Sequence, residues 1–335
     1  MLKMEKNEDF VEEIILKRPT IPVGGHPVET GDYIVDTLAI NAVAESILNW
    51  INLRVPGGIV FGEPRLGKSR AIKYIRNVFD YKYPNQWLNL SILTRKKRTP
   101  NEDSFFEFFL KDVGHSIYSI GKPSAKRDRL TNFLLDKGDQ TIRNQIVLFI
   151  DDAQRLTNIE YEWLMDLYNE LDSFGITLTT LLFGQTELSQ RRNLFITTDK
   201  QIVGRFMIHE ERFFGIRRKD ELAYLLASYD SITEFPEGSN CSYTNFFFPE
   251  GFVKGQRLEN ETNNIWNSIV ELRAEYGIKK GVEIPMHYLI AVINYVLLKY
   301  GANDEAIFWP TAAIWKESIF VSGYLNAEVL RSSNS

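Results

Sequence analysis

Gly62-Glu63-Pro64-Arg65-Leu66-Gly67-Lys68-Ser69 is the stretch on which the reading of this 335-residue chain turns. It fits G-x-x-x-x-G-K-S/T without a gap. The glycines let the backbone curl so that successive N–H groups face inward, a concavity suited to phosphate. Lys68 sets a cation between β- and γ-phosphates, and Ser69 offers a hydroxyl to magnesium. Before the stretch, Pro56-Gly57-Gly58 reads as a turn and Ile59-Val60-Phe61 as a short buried strand. After it, the pattern from about Lys68 to Phe79 predicts a helix whose positive end points at the anion. The set assigned to nucleotide is therefore Gly62, Glu63, Pro64, Arg65, Leu66, Gly67, Lys68, Ser69 and Arg70, with ATP and Mg2+ as the cofactors.

Working outward, Ile146-Val147-Leu148-Phe149-Ile150 is the clearest strand in the chain, and it runs straight into Asp151-Asp152-Ala153-Gln154. Charges at the end of a buried strand are expensive unless they have a task. Next to a phosphate loop that task is to hold magnesium and to polarise the attacking water. Asp151, with Ser69, is read as the metal ligand and Asp152 as the general base. An Asp-Asp helix cap is the plainer reading of the same spot. The strand Thr177 to Phe183 ends in Gly184-Gln185, and Gln185 is the candidate to orient water at the γ-phosphate. Of Arg191, Arg192 and Arg205, the last is chosen as the arginine that a second subunit would offer to transition-state charge. A solvated surface arginine is the alternative.

Strands alternate with helices from about residue 37 to 215, with further helices expected over Asp103 to Tyr118, Ser124 to Leu135 and Thr157 to Phe174. This predicts α/β architecture: a parallel P-loop NTPase sheet sandwiched by helices. Residues 1–36, carrying Pro19, Pro22, Gly24, Gly25, Pro27 and Gly31, read as an extended arm. Residues 216–335 read as a smaller helical lid and C-terminal region, with helices over 217–229, 259–276, 285–300 and 311–321. Residues 231–256 read as a loop whose Phe246-Phe247-Phe248 cluster either packs into the lid or forms a partner-binding surface. His26-Pro27 and Thr30 are candidates for the adenine side of the pocket.

The formal charge of −5 argues against a broad basic surface and against membrane attraction, so any nucleic-acid site must be a local patch. One cysteine, Cys241, allows no internal disulfide and fits a cytoplasmic setting. The longest apolar stretch, Leu289 to Leu298, is half a membrane span. The four histidines have no ligand spacing, so no zinc is expected.

A phosphate loop, a D-[DE]-A-[QD] strand end, a G-[QT]-x-[ED]-L strand end and an R-F segment follow one another in that order. In this the chain resembles AAA+ ATPases over about 55–320, and within them the branch of TnsC/TniB transposition regulators and ExeA-type ATPases. The resemblance implies assembly into rings or helical filaments with ATP at subunit boundaries. It also implies wrapping of double-stranded target DNA in the ATP state, and partnership with a transposase and a target-selector protein. In that branch the loop after the second strand carries DNA-backbone contacts. Here it reads Thr94-Arg95-Lys96-Lys97-Arg98-Thr99, the densest positive run in the chain. Arg95, Lys96, Lys97, Arg98 and Thr99 are the DNA-binding candidates, with Thr94 adding a hydroxyl; a solvated charge run is the plainer reading. The lid arginine usual in the superfamily is not evident, since Met286 or His287 stands there. The function expected is an ATP-dependent regulator of DNA transposition, hydrolysing slowly. The alternative is an AAA+ assembly ATPase that does not bind DNA, of the secretion, signalling or defence kind.

Overall fold

The computed structural model describes residues 19–301 and 307–333. The first eighteen residues of the expected arm, and the last two of the chain, lie outside the described residues. The rest falls into two compact units, Ala39–Phe213 and a second one joining 19–38 to 214–333.

In the first unit five parallel strands form one sheet in the order β2-β3-β4-β1-β5: β1 Gly57–Phe61, β2 Leu88–Leu93, β3 Gln145–Asp151, β4 Thr177–Gly184 and β5 His209–Arg212. Side chains alternate across each strand, so neighbours in sequence enter opposite cores. In β3, Ile146, Leu148 and Ile150 join the core that Phe105, Phe106, Leu130, Leu134, Leu164 and Leu167 complete. Val147 and Phe149 face the other core, with Ile47, Ile51, Ile72 and Ile75. Strands buried on both faces explain the near-continuous apolar runs of the sequence.

The helices Leu38–Asn52 and Lys68–Lys82 cover one face, and Glu102–Asp112, Pro123–Asp139 and Asn158–Ser173 the other. The aromatic-rich helix ends at Asp112 rather than running to Tyr118, because Gly114 takes a left-handed φ of 82°. β5 was invisible to hydrophobic pattern: His209-Glu210-Glu211-Arg212 is an edge strand pairing with β1 alone.

The second unit is built on the helices Lys219–Ala227, Thr262–Glu275, Met286–Tyr300, Ala312–Val321 and Tyr324–Ser333. Residues 231–256 are not a plain loop. They form the helices Tyr243–Phe247 and Pro249–Val253, and Phe246, Phe247 and Phe248 are buried in this unit's core. Of the two readings of that cluster, packing is the one observed. The segment 19–38 likewise differs from an extended arm. It carries a short helix, Pro27–Thr30, and places Val28, Tyr33 and Val35 in the same core. His26 caps that helix and is buried among rings, stacked on Phe246 at 4.5 Å between centroids with Tyr243 and Phe247 edge-on. An imidazole so enclosed is core, which removes it from the adenine candidates. No described helix is long and apolar enough to cross a membrane.

Candidate active site

At the end of β1 the chain turns at once. The N–H of Gly62 donates to the carbonyl of Gly184 (3.3 Å), fastening the loop to the end of β4. A Cβ on Gly62 would stand 2.2 Å from the carbonyl oxygen of Phe213, so only glycine fits. Arg65 and Gly67 take left-handed φ of 64° and 99°. Leu66 between them buries its side chain in the core beneath. Glu63, Pro64 and Arg70 complete the loop and the first turn of the helix, Pro64 and Arg70 exposed. Lys68 Nζ spans the curl from inside, donating to the carbonyls of Gly62 (2.8 Å) and Glu63 (2.7 Å).

β3 delivers Asp151 to the same place. The Ser69 hydroxyl and the N–H of Asp152 hydrogen-bond its carboxylate, and Lys68 lies within electrostatic reach. Burial pushes the Asp151 carboxyl above its ordinary range, against the lowering pull of Ser69, the Asp152 N–H and Lys68. Burial also lowers the Lys68 ammonium, against the opposing pull of Asp151, Asp152, Glu63 and Glu187. Desolvation outweighs mutual attraction at both ends, so each charge gains from a further counter-ion. Phosphate oxygens suit Lys68. A hard cation that takes oxygen ligands suits Ser69 and Asp151, and the donor set fits magnesium.

Asp152 adopts φ 54°, ψ 34°, the left-handed region uncommon for a residue with a side chain. The single 3-10 turn Ala153–Arg155 follows. Together they fold the next residues back over its carboxylate. Gln154 Nε2 donates to Oδ1 (3.1 Å) and Arg155 pairs with Oδ2 (3.1 Å). Gln154 Oε1 in turn accepts the N–H of Gln185 (3.1 Å), so one amide spans the acidic pair and the end of β4. Gln185 itself stands half-buried at the start of the helix Thr186–Thr198. From the end of β2, the Thr94 hydroxyl is shared between the carbonyls of Asp151 (2.7 Å) and Asp152 (2.6 Å). Thr94 is therefore buried structure and not a DNA contact.

The arginines separate. Arg191 donates to the carbonyls of Gln154 and Leu156, bracing the turn after the acidic pair. Arg192 donates to the Met207 carbonyl (2.7 Å). Arg205 lies over the Tyr168 ring, 4.4 Å from its centroid, and donates to Asn169 (2.7 Å). Its own carbonyl packs on Gly57, the first residue of β1, whereas the phosphate loop leaves the other end of that strand. About 13 Å of strand lies between. The chain does not bring Arg205 to its own phosphate loop.

The basic loop alternates. Arg95 turns inward to pair with Asp112 (2.9 Å) and lies over Phe108, and Lys97 turns inward to pair with buried Glu160 (2.7 Å). Lys96, Arg98 and Thr99 are exposed. Two cations, not four, face outward, because Arg95 and Lys97 are drawn in by Asp112 and Glu160 while Lys96 and Arg98 between and after them stay exposed. Sequence reasoning gave no role to Gln154, Arg155 or Glu160. For the first two the only sequence signal was their place two and three residues beyond Asp152, which does not say that their side chains fold back on it.

These features are set in a recognisable frame. Residues 56–191 match the family model of the AAA domain. That segment is an AAA-type P-loop domain. No curated protein matches the chain in sequence. Among solved structures, the ORC1 protein of Aeropyrum pernix in complex with DNA is 11% identical, with a TM-score of 0.50 over 90% of this chain and 69% of that one. The ORC2 protein of the same organism, in ADPNP-ADP complexes, is 13% identical with a TM-score of 0.49, over 89% and 71%. Drosophila ORC bound to AT-rich DNA and Cdc6 is 9% identical with a TM-score of 0.45, and there the chain spans only 40% of its counterpart. At such identities the ORC1 likeness speaks for the fold alone: an AAA+ sheet flanked by helices with a helical C-terminal region.

Proposed function

We propose that the chain binds and slowly hydrolyses ATP, and that the ATP form assembles on duplex DNA to regulate transposition. The observation that carries the ATPase reading is the meeting of Lys68, Ser69 and Asp151 in one cluster, with Asp152 beside it. In this reading the loop amides and Lys68 orient the triphosphate. Ser69 and Asp151 hold magnesium, which when bound neutralises phosphate charge. Asp152 takes the proton of the attacking water, which Gln185 helps to place. Arg205, far from its own phosphate loop and on a half-exposed surface, serves a neighbouring copy. The helical unit acts as the lid, and the protein works in the cytoplasm.

The DNA step draws on the ordered motifs shared with transposition regulators, on the exposed Lys96, Arg98 and Thr99, and on the DNA in the ORC1 complex of similar fold. Electron microscopy with duplex DNA tests it directly. Rings or filaments on DNA with a non-hydrolysable ATP analogue, and none with ADP, are expected. A dispersed protein in every nucleotide state would remove the assembly reading. One observation favours a second reading, an assembly ATPase that does not bind DNA: half of the basic run is spent on Asp112 and Glu160. Unchanged mobility of labelled DNA with ATP present, alongside intact hydrolysis, selects that reading.

A further inference from the structure

A carboxylate that is to take a proton from water must offer that water a lone pair. Both oxygens of Asp152 are engaged within the chain, Oδ1 by Gln154 Nε2 and Oδ2 by the guanidinium of Arg155, each at 3.1 Å. The two engagements differ in kind. Gln154 is tied on its other side to the Gln185 N–H, so it belongs to the frame joining β3 to β4. Among the described residues the Arg155 side chain pairs with Asp152 alone, and it is 41% exposed. The contact is not an accident of a floppy surface residue. It follows from the left-handed backbone of Asp152 and the 3-10 turn after it, which bring position 155 over position 152. The Thr94 hydroxyl on the Asp152 carbonyl and Arg191 on the Gln154 and Leu156 carbonyls hold that turn in shape.

We propose that Arg155 is a positioning residue that restrains hydrolysis: its ion pair with Oδ2 competes with the attacking water for Asp152, and turnover waits on the guanidinium letting go. A half-exposed pair is weak enough to open and close repeatedly. The pair therefore sets a low basal rate without abolishing hydrolysis. This rests on the reading of Asp152 as general base.

Steady-state ATP hydrolysis and ATP binding by the full chain test it. Arg155→Gln should raise kcat about three- to tenfold and leave KM and the ATP Kd unchanged. Arg155→Lys, which keeps a cation there, should stay near the unaltered rate. The gain should vanish in Asp152→Asn/Arg155→Gln. Loss of a merely structural arginine lowers activity, so a rise confined to kcat is diagnostic. If Arg155→Gln melts at the same temperature, binds ATP equally and turns over no faster, the restraint is refuted. If it melts early, Arg155→Lys decides: a several-fold quickening there also refutes it, since the cation is retained. Should the unaltered chain neither bind nor split ATP, the underlying ATPase reading falls instead, which is a distinct result.

Discussion

Lys68 and Asp151 each carry a charge that burial disfavours, and the sign of that cost can be measured. A carboxyl whose folded value lies above its unfolded one weakens the fold wherever it is ionised. The penalty is present near neutral pH and fades as pH falls through the carboxyl range. Asp151→Asn should therefore melt about 1–3 °C higher than the unaltered protein at neutral pH without nucleotide. The advantage should shrink in acid, and magnesium should no longer add to stabilisation by ATP; differential scanning fluorimetry across pH reads both. Lys68→Ala should lose the nucleotide effect altogether. ATP at a hundred times its Kd adds about 2.7 kcal/mol to a protein that binds it, and the variant should gain none. Asp152→Asn should keep that gain while hydrolysis drops at least about a hundredfold. At this scale the phosphate loop and the acidic pair were legible because each is a contiguous run whose residue types leave little other use. Gln154 and Arg155 were not, because their places depend on a left-handed Asp152, which no propensity of aspartate demands.

Between residues and fold, the segment after β2 shows how an element redistributes a composition. Four adjacent cations read as one patch only when their side chains share a side, and the pairs of Arg95 with Asp112 and Lys97 with Glu160 prevent that. Lys96→Ala/Arg98→Ala should weaken DNA binding and flatten the log K against log salt slope by about 2, two phosphate contacts at about 0.9 each. ATP affinity should not move. Lys97→Ala should behave differently, leaving the buried Glu160 carboxylate without its cation at a cost of about 3 kcal/mol in stability. A denaturant melt separates it from the outward pair. If Lys97→Ala flattens the salt slope as much as the double variant does, the alternation has no functional meaning. The run itself was plain in the sequence. Its division was not, since the deciding carboxylates lie 17 and 63 positions further along. β5 escaped notice for a related reason, because an edge strand of charged residues owes its place to β1 rather than to its own pattern.

At the scale of the whole molecule, the order of elements gave away the AAA+ sheet, while the second unit was only outlined. Its helices were foreseeable from apolar spacing, but its core is closed by residues from both ends of the described chain. His26 packs with Tyr243, Phe246 and Phe247, and Tyr33 reaches Tyr229 and the helix Met286–Tyr300, in the core that Val28 and Val35 share. His26→Ala should cost that unit about 3 kcal/mol, as truncating a core ring does, read as an earlier loss of near-ultraviolet circular dichroism. The same closure bears on synthesis. Residues 19–38 leave the ribosome early, yet the helices they pack against are encoded almost 200 codons or more downstream. At about 5–20 residues per second they wait roughly 10–60 s for partners, while the intervening sheet has time to form. A newborn chain thus spends its youth with the apolar side chains of residues 19–38 unclaimed. Stalled or truncated messages should yield a product that holds its phosphate loop together and clumps through that segment.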